Sequence, residues 1–244
     1  KELEDNNVLG YAQIKKYYKI KSKEIKDFNN YNYYYDLQNY NLGEILPYEG
    51  EIVFNKNIWE NMLSTKREDG MSHAYYIALH ELGHVIGIGP LWVLNGAMLY
   101  DARSETFFYG GINGNREYKK CFPSLKLTYM PIENNGGPGT AEVHPEEGEE
   151  GDISVNDRFY NGVLHPGLDH ELMTGFAETT NVPLPLSKVT VGLVEDLGYS
   201  VNYINADKFT INFNKSLTKT FNSKSNIKCT INYNNINNNN NNQI

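Results

Sequence analysis

Residues 80–89 read HELGHVIGIG, and the most specific chemistry in the chain lies in them. His80 and His84 are four positions apart, so on a helix both imidazoles project from one face, a turn apart. Two such nitrogens can bind one Zn2+ at about 2.0–2.1 Å each. Glu81 follows the first histidine directly, so its carboxylate is placed to act as general base on a water at the metal without becoming a ligand. The competing account is a surface helix that carries H-E-x-x-H by chance. With six histidines in 244 residues it is the weaker one.

Those residues need a helix to present them, and the local sequence supplies its signals. Ser72 is a capping residue, Ala74, Ile77, Ala78, Leu82 and Val85 recur at helical spacing, and Gly87 offers a left-handed stop. Upstream, LGYA at 9–12 and GEIVFN at 50–55 read as strands, the second with Ile52 and Phe54 on one side. Asn57 is expected to cap a short helical piece through Leu63, and Glu68-Asp69-Gly70 to turn the chain into the histidine helix. A strand edge just before that helix suits main-chain pairing with an extended peptide. The tyrosine-rich run 31–40 has neither periodicity and reads as a loop or insertion.

Downstream, residues 90–121 are expected to hold helices and loops, with Tyr118–Cys121 near the end of a short helix. ENNGGPGT at 133–140 is a glycine-rich turn, and the acidic run 145–152 reads as a solvated loop, with a calcium site as the lesser alternative. ELMTG at 171–175 leads past Pro183 and Pro185 to a helix capped by Ser187 and stopped by Gly198, with Val189, Leu193 and Leu197 as its buried stripe. Short strands are expected near Phe209–Phe213 and Cys229–Tyr233, before a terminal asparagine run that has little apolar surface to bury.

A net charge of −8 and the lack of a basic stripe argue against a nucleic-acid partner. No apolar run approaches the ~20 residues of a transmembrane helix. With Lys1 as its first residue, the chain is expected to be a processed or trimmed form, any targeting peptide lying outside it. Cys121 and Cys229 are the two cysteines. They read as a disulfide or as two free thiols, and not as zinc ligands, since neither belongs to a C-x-x-C pair. His73 reads as a capping or surface histidine.

A catalytic zinc has three protein ligands and an open position, so a third donor must lie elsewhere. The motif continues as H-E-x-x-H-x-x-G through Gly87, but the next ligand position of the short metzincin pattern is Pro90, which has no donor. Further on stand GGPGT at 136–140 followed by Ala141-Glu142-Val143-His144, then Glu171-Leu172-Met173, then EDLGY at 195–199. In this order of motifs, from about Leu9 to Asp207, the chain resembles the leishmanolysin-like zinc metalloproteases, a branch of the metzincins. The stretch from His144 to Met173 is longer than in that pattern, and Pro145 follows the histidine where relatives carry a larger residue.

The resemblance implies His144 as third ligand, with His165 and His170, nearer Met173, as competitors. It implies Met173 as a Met-turn packed beneath the ligands. The implied fold is α+β and metzincin-like. An N-terminal subdomain to about residue 89 holds a twisted sheet and the zinc helix. A C-terminal subdomain, 90–207, holds the Met-turn and closing helix, and 208–244 is an asparagine-rich tail, largely disordered at its end. A secreted or cell-surface location follows from the resemblance alone, and the oligomeric state is left open. The implied activity is zinc-dependent endopeptidase action on a protein or peptide substrate, with Glu81 as base. Two rivals stand beside it. One is a thermolysin-like site with a downstream Glu ligand, disfavoured by Gly87 and the Met173 segment. The other is a non-catalytic zinc-stabilised protein-binding module.

Overall fold

The computed structural model describes residues 8–19, 45–148, 159–160, 163–178, 181–211 and 228–231. Within them the protein is mixed α and β, with four α-helices and three small sheets. Strand β1 (Val8–Lys19) pairs antiparallel with β2 (Ile45–Phe54), from Gly10 opposite Phe54 to Lys19 opposite Ile45, with register breaks on either side of Lys16. The sheet therefore starts before LGYA and runs well past it. One helix separates it from the histidine helix. This is α1 (Lys56–Ser64), and its cap is Asn55, not Asn57. The Asn55 side chain accepts from the Asn57 amide and donates to the Val8 carbonyl, so the cap also ties the helix to β1.

Helix α2 (His73–Val85) starts at Ser72, whose hydroxyl accepts from the Tyr75 amide, and turns out through Gly87 at φ 118°. It lies against the β1–β2 face on which Gly10 and Gly50 stand. A Cβ at Gly50 would come within 2.5 Å of Val85 Cγ1, so the missing side chain is what allows helix and sheet to approach this closely.

The chain then forms a hairpin where helices and loops were expected: β3 (Met98–Asp101) with β4 (Thr106–Tyr109), extended by β5 (Met130–Pro131). Aromatic Phe107, Phe108 and Tyr109 favour the strand, while the surrounding glycines masked its short period. Helix α3 (Ile112–Cys121) ends where Tyr118–Cys121 suggested. Its cap, Gly111, has no side chain, and the Asp196 carboxylate of α4 (Lys188–Asp196) stands in. It accepts from the Asn113 and Gly114 amides, the Asn113 side chain and the Tyr109 hydroxyl. Burial raises the Asp196 pKa, and these donors oppose that shift.

Strands β6 (Phe159–Tyr160) and β7 (Val163–Leu164) form a small ladder, and β8 (Lys228–Ile231) pairs in parallel with β1, giving the order β2-β1-β8. Over 229–231 the expected strand at 229–233 is thus present, starting one residue earlier and belonging to the first sheet, while 232–233 lie outside the described residues. Phe209 and Ile211 pack on the core without forming a strand, and the rest of that expectation lies outside the described residues. So do the 31–40 run and the terminal asparagines. One buried cluster joins Ile14 and Ile45 of the first sheet to Trp92, Tyr109, Met173 and Leu193. Cys121 is a free thiol that burial pushes up to about 12. Among the described residues no helix is long and apolar enough to cross a membrane.

Candidate metal centre

Helix α2 carries His80 and His84 on its buried side, and the chain beyond α3 brings His144 to them. The three Nε2 atoms lie 2.9 Å (80–84), 2.9 Å (84–144) and 3.2 Å (80–144) apart. Two donors at about 2.0–2.1 Å from a tetrahedral zinc lie about 3.3–3.4 Å apart, so the triangle is slightly tighter than an ion requires.

Each ring is oriented by a backbone carbonyl at its other nitrogen. His80 Nδ1 faces Leu172 O at 2.7 Å, His84 Nδ1 faces Ile88 O at 2.9 Å, and His144 Nδ1 faces Thr140 O at 2.8 Å. A carbonyl only accepts, so each Nδ1 carries the proton and donates it. Burial lowers the pKa of His80 to about 4 and, with His80 beside it, that of His144 to about 3. It lowers that of His84 as well, with His80 and His144 adding to the effect. All three rings are therefore neutral at pH 7, and three bare Nε2 lone pairs converge on one buried point. Lone pairs at that distance repel unless a cation lies among them, so the donor set fits a metal ion.

The positioning of His144 depends on contacts far apart in sequence. Its carbonyl accepts from Glu133 N at 3.0 Å, Ile132 bridges Pro145, and Glu146 N donates to Pro131 O, so the histidine rides on an extension of β5. Gly89, at φ 82°, lets that stretch approach α2. A Cβ there would sit 2.1 Å from Val143 O. Within the acidic run, Glu146 and Glu147 are 3 % and 2 % exposed, and not solvated as their composition suggests. The Glu147 amide donates to Glu133 Oε2, and its own carboxylate accepts from Phe176 N.

Met173 is fully buried, and its Sδ and Cε would lie 2.6 and 2.7 Å from a Cβ at Gly83, between the two helical histidines. The segment acts on the cluster twice, through the Leu172 carbonyl on His80 and through Met173 packed against α2. Buried Glu171 anchors it. Its carboxylate accepts from Met173 N, Ser187 N, Ser187 Oγ and Thr190 Oγ1, tying the reversal to the start of α4. Burial raises the Glu171 pKa, against the pull of these donors. This role was not read from the sequence. Its signal was a carboxylate next to an apolar pair, with Ser187 and Thr190 spaced as helix-start residues.

Glu81 is 0 % exposed and lies outside the cluster of donors, with Oε1 beside Gly10 of β1. His165 and His170 are not with the other three. His165 is a satisfied core histidine, donating from Nδ1 to Val163 O and accepting from Thr128 N at Nε2. His170 sits between Asp169 and Glu178. His73 opens α2 away from the cluster, its pKa lowered by burial. Comparisons of the chain with protein-family models, with curated proteins and with solved structures found no match.

Proposed function

We propose that His80, His84 and His144 hold a catalytic Zn2+ and that the protein is a zinc-dependent endopeptidase with Glu81 as general base. One observation carries the reading. Three neutral imidazoles converge through Nε2, and Glu81 lies between two of them in sequence without joining them. Bound there, zinc supplies a Lewis acid and lowers the pKa of water towards neutrality. Glu81 takes the proton of the attacking water and hands it to the leaving amine. The three carbonyls at Nδ1 keep each imidazole in the tautomer that leaves Nε2 free. Among the described residues β2 has β1 on one side only, which suits an extended peptide pairing along its other edge. Met173 packed on Gly83, and the order of motifs in which the chain resembles leishmanolysin-like metzincins, support the same reading.

The near-complete burial of the cluster favours a second reading, a non-catalytic zinc-stabilised protein-binding module. Glu81→Gln separates the two. It keeps size and helix, so metal content and folding are expected to survive, while casein or labelled-peptide cleavage falls by ~10²–10⁴-fold, the range for a lost general acid–base group. A metal-loaded wild type that cleaves nothing leaves the binding module standing. Undiminished cleavage by Glu81→Gln contradicts the mechanism.

A further inference from the structure

A second group of ligand-type side chains lies outside the histidine cluster. Asp169, His170 and Glu178 bring one donor atom each within 4.8 Å of one another. His170 Nδ1 stands 3.2 Å from Asp169 Oδ1 and 3.2 Å from Glu178 Oε1, and the three side chains are 29 %, 12 % and 13 % exposed in the order His170, Asp169, Glu178. We propose that these three residues form a second divalent-cation site, distinct from the histidine cluster, that clamps the two ends of the reversal carrying Leu172 and Met173.

Two carboxylate oxygens share one ring nitrogen of His170. Nδ1 is shielded from solvent, and Asp169 Oδ1 and Glu178 Oε1 stand at the same distance from it. Two oxygens that each lie 3.2 Å from one nitrogen are spaced as co-ligands of one ion are. His170 reaches this position through a left-handed backbone, φ 59°, which turns its ring back towards its neighbour Asp169.

Access and donor chemistry agree with that assignment. Asp169 and His170 line a cavity of about 550 Å³ shared with Tyr76, Pro183, Pro185 and Phe209, which leaves room for water to complete a coordination shell. One imidazole and two carboxylates form a mixed nitrogen–oxygen set suited to Zn2+ or Mn2+. In the metal-free chain a proton occupies Nδ1 instead. Asp169, then Glu178, raise the imidazole to about 10, so an ion must displace that proton to bind.

The consequence of binding follows from where the three residues sit in the chain. Asp169 and His170 precede Glu171, Leu172 and Met173, and Glu178 follows them. An ion shared among the three closes this loop into a ring, independently of the Glu171 anchor to α4. The segment that orients His80 is then held at both ends.

Metal counting tests the proposal. Metal-stripped protein is equilibrated with excess Zn2+ at pH 8 and its zinc per chain measured by atomic emission. The expected count is two for the wild type and one for His170→Gln, with Glu178→Gln as the second variant should His170→Gln fail to fold. A wild-type count of one that disappears in His170→Gln also supports this site, and counts instead against the histidine cluster. A wild-type count of one that persists in the folded variant overturns the proposal. So does a count of two in both proteins.

Discussion

His80 and His84 share one helix, whereas His144 stands on irregular chain between a glycine-rich turn and a strand extension. All three present Nε2 to the same point, but different interactions hold them there. The helix fixes its pair through local hydrogen bonds, a serine cap and a close seat on the β1–β2 sheet. The third donor depends on the approach of Val143 to Gly89 and on pairing with residues 131–133. Across the cluster, the 171–173 reversal is held by a buried carboxylate with four donors. A helical donor pair costs few constraints beyond the helix, whereas a donor on a loop needs buried polar groups and backbone contact to replace regular structure.

That contrast can be broken hardest at Gly89. Gly89→Ala forces a Cβ against the Val143 carbonyl in a left-handed backbone, and is expected to cost about 4 kcal/mol or more, the exceptional end of single substitutions. Thermal melts should show it, and zinc titration should show weakened binding with the helical pair intact. Gly137→Ala is its control. It is also left-handed but has nothing within 4 Å, so only about 1 kcal/mol of backbone strain is expected. Equal effects at the two positions would mean that the approach of residue 143 to residue 89 is not what positions His144.

A smaller effect comes from pH in chelator-treated protein. His80 and His144 titrate at about 4 and about 3 when folded, against about 6.5 for an unfolded imidazole. Below that value the unfolded chain binds more protons, so the stability held by the neutral rings is complete above pH 6.5 and is lost as pH falls towards 4. His80 alone contributes on the order of 3 kcal/mol. Urea midpoints between pH 7.5 and 4.5 should drop accordingly, and a flat profile would contradict the burial of neutral rings. The smallest effect belongs to the helix itself. Ser72→Ala removes one cap hydrogen bond and should cost about 1 kcal/mol in the same unfolding assay, leaving zinc affinity nearly unchanged.

What could be read from the sequence follows the same division. Helix α2, its cap and its stop were legible because spacing and capping are local, as was α4 from Ser187 to Gly198. The β3–β4 hairpin was not, because four-residue strands amid glycines give too short a period. Asn55 lost the cap to Asn57 in the sequence reading because its hydrogen bond to Val8 lies outside any local window. The burial of Glu146 and Glu147 was hidden for a related reason. Acidic composition signals solvent exposure, and only the fold shows that backbone amides of residues 147, 148 and 176 are met there by buried carboxylates. His144 came from motif order and not from spacing, since nothing local distinguishes it from His165 or His170.

X-ray absorption at the zinc edge, on zinc-loaded wild type and on His144→Gln, tests the central claim most directly. The wild type should show three nitrogen donors at about 2.0–2.1 Å and one further light-atom ligand, with any second zinc site removed by His170→Gln in both proteins. His144→Gln should then lose one nitrogen from the shell. A shell closed by four protein donors would contradict an open catalytic zinc, and a spectrum unchanged in His144→Gln would contradict the assignment of the third ligand.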